Sequence, residues 1–295
     1  MTPVVAIVAP GAMGAAVGKR LVDNGVKVMT SLAGRSQETA ARATAAGMTA
    51  ASDSEIAAAD FILSILPPGD ALALAERFAP ALKASNAKPV YVDCNAINPA
   101  TVDRVAAAIA PTECPFVDAG IIGSPPLPLP NLPPQTGEGR VAGSPRFYAS
   151  GPVAPRFAML RDYGLDVRVL DGAMSAASAL KMSYAGITKG TQAIGAAMML
   201  AATRAGSGDA LLAELQTSQK QLFPWLKRQL ELMPPKAYRW VAEMQEIAGF
   251  VGDDPAASDL YEGAARFYEG FAEDFEGDKK AADALQALLG KSSSA

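Results

Sequence analysis

The sequence predicts an α/β protein, with a doubly wound N-terminal domain followed by an all-α C-terminal domain. Three observations carry this prediction. Over residues 1–120, short all-apolar runs alternate with Ala-rich helical runs, the pattern of parallel strands covered on both faces. Strand signals stop after Gly172. From Met174 onward the chain reads as one helix after another.

Element by element, Val4–Val8 reads as a buried strand and Ala12–Asn24 as a helix. Lys27–Ser31 is a second strand, followed by a helix over Gln37–Ala46. Phe61–Leu66 is a third strand, closed by Pro67-Pro68-Gly69, with Ala71–Ala84 helical. Pro89–Asp93 and Phe116–Ala119 are the fourth and fifth, with Thr101–Ala110 helical between them. Right-handed crossovers place the functional crevice at the carboxyl ends of these strands. Pro125, Pro126, Pro128, Pro130, Pro133 and Pro134 forbid regular structure over 124–136, leaving a stiff surface loop or a lid over the crevice. Val141–Gly151 and Asp166–Leu170 read as further strands. Met174–Thr203 is a long Ala/Met-rich helix with few charges. The domains implied are 1–172 and 173–290, with a polar tail at 291–295.

Composition excludes several chemistries. The chain has 295 residues and no histidine, which removes Ser-His-Asp and Cys-His catalysis and histidine metal sites. Proton transfer near neutral pH then falls to Lys, Tyr, Cys or a carboxylate. A net charge of −4 argues against a nucleic-acid partner. Cys94 and Cys114 are too few for a disulfide framework and read as reduced thiols. The N-terminus lacks a basic, cleavable leader, and no apolar stretch reaches the ~20 residues of a membrane span. A cytoplasmic protein is expected, with no membrane partner.

Strand Val4–Val8 runs into Ala9-Pro10-Gly11-Ala12-Met13-Gly14 and then a helix. This is the Rossmann glycine turn with alanine at its first glycine position. Gly11 lets the backbone approach a pyrophosphate, Gly14 lets helix and strand pack closely, and the helix N-terminus faces the phosphates. The second strand separates NAD from NADP. Lys27–Ser36 contains no acid for a ribose 2′-hydroxyl, whereas Arg35 can pair with a 2′-phosphate, with Ser31 and Ser36 donating hydrogen bonds. NADP(H) is the predicted cofactor.

These motifs, with SILPPGDA at 64–71, VDCNAINPATV at 92–102, VDAGIIGSP at 117–125, ALKMSYAGITKG at 179–190 and MPPKAYRWVAEMQEIA at 233–248, make the chain resemble the β-hydroxyacid dehydrogenase and 6-phosphogluconate dehydrogenase superfamily. The resemblance is to its branch with a C-terminal domain of unknown function. It implies that Pro10, Ala12 and Met13 lie along the cofactor and that Leu66 and Pro67 flank its adenosine side. It also places Asn95 near the nicotinamide, unless Asn95 simply caps the strand end. The substrate-anchoring segment falls on Asp118–Ser124. There Gly120, Ile122 and Ser124 depart from the usual pattern while Gly123 remains, so a bulkier, less polar substrate becomes plausible, with Ser124 or backbone N–H groups replacing the lost serine at Ile122.

Lys181 lies in ALKMSYAG, a run otherwise empty of charge. Loss of hydration there would make it a usable base near neutrality. In the resembled family the matching lysine takes the hydroxyl proton during hydride transfer. Tyr184, one turn on, either bonds a substrate oxygen or packs. Lys189, two turns on, reads as surface or interface. Lys236–Trp240 mixes basic and aromatic side chains for the cleft, the core or a dimer contact. The resemblance implies a homodimer formed through the helical domain. No metal is required. The reading is therefore an NADP-dependent oxidoreductase of the hydroxyacid dehydrogenase type. An imine reductase on the same fold and a non-catalytic NADPH-binding sensor are the alternatives.

Overall fold

The computed structural model describes residues 2–8, 10–126 and 144–291. It divides into two compact units, Met1–Lys181 and Met182–Ala295. The division falls within a helix rather than at residue 172, because that helix's first turn is bonded to the sheet.

The first unit is built on eight strands: β1 (Val4–Val8), β2 (Lys27–Thr30), β3 (Thr49–Ala50), β4 (Phe61–Ser64), β5 (Val90–Asp93), β6 (Phe116–Ile122), β7 (Arg146–Ser150) and β8 (Asp166–Val169). Their order is β3-β2-β1-β4-β5-β6-β7-β8. The first six follow the doubly wound dinucleotide-binding order, which reverses between β1 and β4. All neighbours are parallel except β6 and β7, which pair antiparallel with Asp118 opposite Ser150 and Ile122 opposite Arg146. The predicted strands are present. β3 is only two residues long and carries no periodicity that sequence can register. Residues 127–143, which hold most of the proline-rich stretch (124–136) and the expected start of β7, lie outside the described residues, as do Met1, Ala9 and 292–295.

Helices α1 (Ala12–Asp23), α2 (Gln37–Ala45), α3 (Asp53–Ile56), α4 (Ala71–Ala84), α5 (Pro99–Ile109) and α6 (Ala154–Phe157) cover the sheet. Strand side chains alternate between two cores, as the period of two requires. Val5, Ile7, Val92, Val117 and Ile121 join the core under α1 and α6. Ala6, Val8, Ile62, Tyr91 and Phe116 join the one under α4 and α5. Gly18 allows α1 to meet Met48, whose sulfur would lie 2.8 Å from an added Cβ. Cys94 and Cys114 are buried free thiols, as expected.

Helix α7 (Ala176–Arg204) starts in the first unit and continues into the second. There α8 (Gly208–Ser218), α9 (Leu222–Glu231), α10 (Ala237–Phe250), α11 (Pro255–Glu276) and α12 (Lys280–Lys291) follow. The small residues of α7 let neighbours close in. A Cβ on Gly186 would meet the Tyr261 hydroxyl at 2.9 Å, and one on Gly195 would meet Leu226 at 2.9 Å. Lys189 is not at the surface. Its ammonium pairs with Glu243 of α10, with side-chain exposures of 17% and 7%, and stands 5.2 Å over the Trp240 ring. The surface reading of Lys189 fails because the flanking residues carry no partner charge; the partner arrives 54 positions later. Among the described residues, no helix is long and apolar enough to cross a membrane.

Candidate active site

The carboxyl ends of β1, β2, β4, β5 and β6 converge, as a doubly wound sheet requires. After β1, Gly11 sits at the N-cap of α1 with φ −64° and ψ −173°, and no side chain caps the helix. The first-turn N–H groups have no intrahelical acceptor. A Cβ on Gly11 would meet nothing within 4 Å, so the space beyond it is open, while Gly14 is buried. Pro10 is buried, Met13 half-buried and Ala12 exposed. The Pro10 carbonyl accepts from Arg42 Nη1 at 3.4 Å. An uncapped twelve-residue helix end with open space before it fits a pyrophosphate.

At the end of β2, Ser31 is buried and its hydroxyl is already engaged. It accepts from Arg77 Nη2 at 2.8 Å and lies 3.5 Å from Asp53 Oδ1. Arg77 also grips Asp53 through two bonds of 2.9 and 2.7 Å. The acid absent from the second strand thus stands beside it, supplied by α3 and neutralised by α4. Arg35 is exposed on the turn that follows. Ser36 caps α2, its hydroxyl accepting the Thr39 N–H at 3.2 Å, so its oxygen has a structural role that the phosphate reading did not foresee.

Asn95, 2% exposed, ties the ends of β4 and β5 together. Its Oδ1 accepts the Leu66 N–H at 2.5 Å, and its Nδ2 donates to Ser64 Oγ at 2.8 Å and Asp93 Oδ2 at 3.0 Å. Both amide protons are committed. Asn95 is therefore a strut between the ends of β4 and β5, in keeping with the strand-end role that sequence left open. It holds Leu66, which is half-buried, while Pro67 is exposed. Burial raises the Asp93 carboxyl to about 7, aided by the charge of Asp118 on the neighbouring strand. Burial also raises the Cys94 thiol.

β6 brings the remaining residues together. Ile122 is half-buried at its end, and Gly123 and Ser124 are exposed just beyond. Gly123 has φ +125°, and a Cβ there would press on Pro145 Cα at 3.1 Å, so both conformation and space demand glycine. Lys181, half-buried on α7, donates from Nζ to the Ile121 carbonyl at 2.9 Å. The lysine singled out by sequence therefore stands at the carboxyl end of the sheet. Beneath it lies Asp118, fully buried and raised to about 6 by burial against the lowering effect of bonds from Ser178, Ser150 and Ala177. Tyr184 lies in the second unit and is 49% exposed. In that unit Tyr238 and Arg239 are exposed, with the guanidinium 5.9 Å over the Tyr238 ring. Trp240 packs edge-on against Tyr268 at 5.2 Å.

Sequence reasoning gave no role of their own to Asp93 and Asp118, which only delimit named segments, and passed over Asp53 and Arg77. A signal for the first two was present, since both strands carry an apolar-apolar-acid triplet, Tyr91-Val92-Asp93 and Phe116-Val117-Asp118. No such signal marks Asp53 or Arg77. Among the described residues, no cluster of acidic or thiol side chains is arranged to hold a metal ion.

The fold and this site define a protein with a nicotinamide-dinucleotide-binding domain and the fold of the hydroxyacid dehydrogenases. Residues 4–126 match the NAD binding domain of 6-phosphogluconate dehydrogenase, and 202–271 match the domain of unknown function DUF1932. The chain is therefore similar to these two domain families in succession. A conserved protein of unknown function, whose structure is described as similar to 3-hydroxyacid dehydrogenases, is 28% identical, with 95% of this chain and 98% of that one covered and a TM-score of 0.66. The Mycobacterium tuberculosis 3-hydroxyisobutyrate dehydrogenase, solved with L-serine, shares the fold at 21% identity. There the coverage is 98% and 99% and the TM-score 0.66. An uncharacterised 28.5 kDa protein of Methanothermus fervidus is 27% identical over 200 residues, 67% of this chain and 70% of its own.

Proposed function

We propose that this protein is an NADP-preferring oxidoreductase acting on a hydroxy acid or a related alcohol/carbonyl pair, with Lys181 as the general acid/base. The observation that carries this reading is the lysine's placement at the carboxyl end of the sheet, donating to Ile121 at 2.9 Å. Residues 10–14 would hold the pyrophosphate and the residues around Ser31 and Arg35 the adenosine end. When bound, the nicotinamide gives or takes the hydride. Lys181 handles the accompanying proton, donating it to the oxygen in reduction and accepting it from the hydroxyl in oxidation. Ile122, Gly123 and Ser124 would form the adjoining wall, where a half-buried apolar side chain beside two exposed small residues suits a carbonyl compound with apolar bulk. Tyr184 is a further candidate to orient it. The NADP preference rests on Arg35, exposed on the turn after β2, whereas Arg77 of α4 is spent on Asp53. The exposed apolar stripe of α7, with Ile187 at 70%, Ile194 at 53% and Met198 at 57% exposure, supports a homodimer through the helical unit.

Thermal-shift titration with NADPH, NADP, NADH and NAD tests the cofactor. Stabilisation by the phosphorylated pair alone, lost in Arg35→Ala, is the expected result; equal shifts from NADH would refute the preference. Turnover is then read on a panel of hydroxy acids, aldehydes and imines. Lys181→Ala should lose ~100-fold or more on the alcohol/carbonyl substrate. Retained activity would favour imine reduction, and cofactor binding with no turnover anywhere would favour a sensor.

A further inference from the structure

The departure of the substrate-anchoring segment at Gly120 has a geometric counterpart. Asp118, Gly120 and Ile122 share one face of β6 because side chains alternate along a strand, and the first turn of α7 lies against that face. A Cβ on Gly120 would stand 3.0 Å from the Ala177 carbonyl oxygen and 3.0 Å from Lys181 Cβ, well inside ordinary contact of ~3.5–4.0 Å. Neither neighbour is the loose end of a flexible side chain. The φ of Gly120 is not positive, so the demand for glycine here is one of space alone.

The same turn is fastened from below. Asp118 Oδ2 accepts the Ser178 N–H at 2.8 Å, and its Oδ1 accepts the Ser178 hydroxyl at 2.6 Å. Ser150 Oγ accepts the Ala177 N–H at 2.9 Å and stands 2.8 Å from the Met174 carbonyl oxygen and 3.2 Å from Asp118 Oδ2, with one proton to donate between them. Two helix-end N–H groups that would otherwise lack acceptors are thus satisfied by side chains of β6 and β7. Ser178 and Lys181 are three residues apart and share a helix face. Fixing Ser178 on Asp118 therefore fixes where the Lys181 side chain leaves the helix.

Resting on the assignment of Lys181 as the acid/base, we propose that Asp118 and Gly120 are its positioning residues. The carboxylate sets the height and rotation of α7 on β6, and the missing side chain allows the approach that brings Nζ to Ile121. Neither residue needs to touch substrate.

Three variants of the full chain test this: Gly120→Ala, Asp118→Asn and the milder Ser178→Ala, which keeps the Ser178 N–H on the carboxylate. Crystal structures read the Lys181 Nζ to Ile121 oxygen separation. Kinetics on whichever panel compound the wild type turns over read kcat against KM, and NADPH titration reads cofactor affinity. In Gly120→Ala the separation should exceed 3.5 Å and kcat should fall ~100-fold, the cost of a misplacement near 1 Å, with NADPH affinity unchanged. Asp118→Asn should act in the same direction, and Ser178→Ala more weakly. An unchanged separation and kcat in Gly120→Ala would overturn the proposal, as would a loss explained wholly by weaker NADPH binding. If Gly120→Ala and Asp118→Asn fail to fold, Ser178→Ala decides on the same readouts. If the wild type turns over nothing on the panel, the assignment of Lys181 falls, while the separation still decides whether Asp118 and Gly120 place it.

Discussion

Replacing Lys189 by Met should destabilise the helical unit severely, and the structure sets the size of the effect. The Lys189 and Glu243 side chains are 17% and 7% exposed, so solvent screens the pair weakly. Removing one member of a buried pair leaves the other charge desolvated, a loss of ~3–5 kcal/mol. The lost cation–π contact with Trp240, at 5.2 Å, adds at most ~1–2 kcal/mol. The bond from the Tyr268 hydroxyl to the Lys189 carbonyl, 2.6 Å, survives because it uses backbone. Urea denaturation followed by far-ultraviolet circular dichroism, with Lys189→Met, Glu243→Leu and the double variant, separates these contributions. Each single variant should lose at least ~3 kcal/mol, and the double should recover much of it, because paired apolar groups need no counter-charge. Single losses below ~1 kcal/mol, or a double variant as unstable as the sum of the singles, would refute the reasoning.

Two further outcomes follow from the geometry. Burial holds the Asp93 carboxyl near 7 in the folded chain, against 3.8 as its ordinary value. The folded state therefore binds more protons between those values, and stability is full below about pH 4 and lost as pH rises through 7. That loss is ~4 kcal/mol at most. Asp93→Asn should flatten the dependence of the melting temperature on pH between 5 and 8, while lowering stability throughout because one oxygen facing Asn95 becomes a donor; an unchanged slope would show that Asp93 does not titrate in this window. On α7, Ile194→Lys should shift sedimentation from dimer to monomer without altering the melting of the first unit's sheet, and a wild type that sediments as a monomer would refute the stripe's assignment.

Much of the architecture was legible locally. The β-branched run of Val4–Val8 is 0% exposed from Val5 onward, and such all-apolar runs announce strands buried on both faces before any contact is known. The turn at residues 10–14 and the charge-poor setting of Lys181 could be read in the same way, since each is a property of adjacent residues. The antiparallel insertion of β7 was not legible, because strand direction is decided by how the chain returns and not by strand composition.

What the sequence determined by itself was therefore the doubly wound sheet, the glycine turn leading into its first helix and the helical second half. Only the tertiary structure decided the partners. Ser31 meets Arg77 across 46 positions and Asp53 across 22, which turns a free phosphate donor into a member of a charged cluster. Asn95 spends its amide protons on Ser64 and Asp93. Lys189 finds Glu243, and Asp118 finds Ser178 sixty positions away. Periodicity and turn chemistry act over a few residues and survive in the bare sequence. Hydrogen bonds and ion pairs between distant segments exist only once the sheet and helices have brought their ends together, and in this protein those long-range bonds set the position of the candidate acid/base.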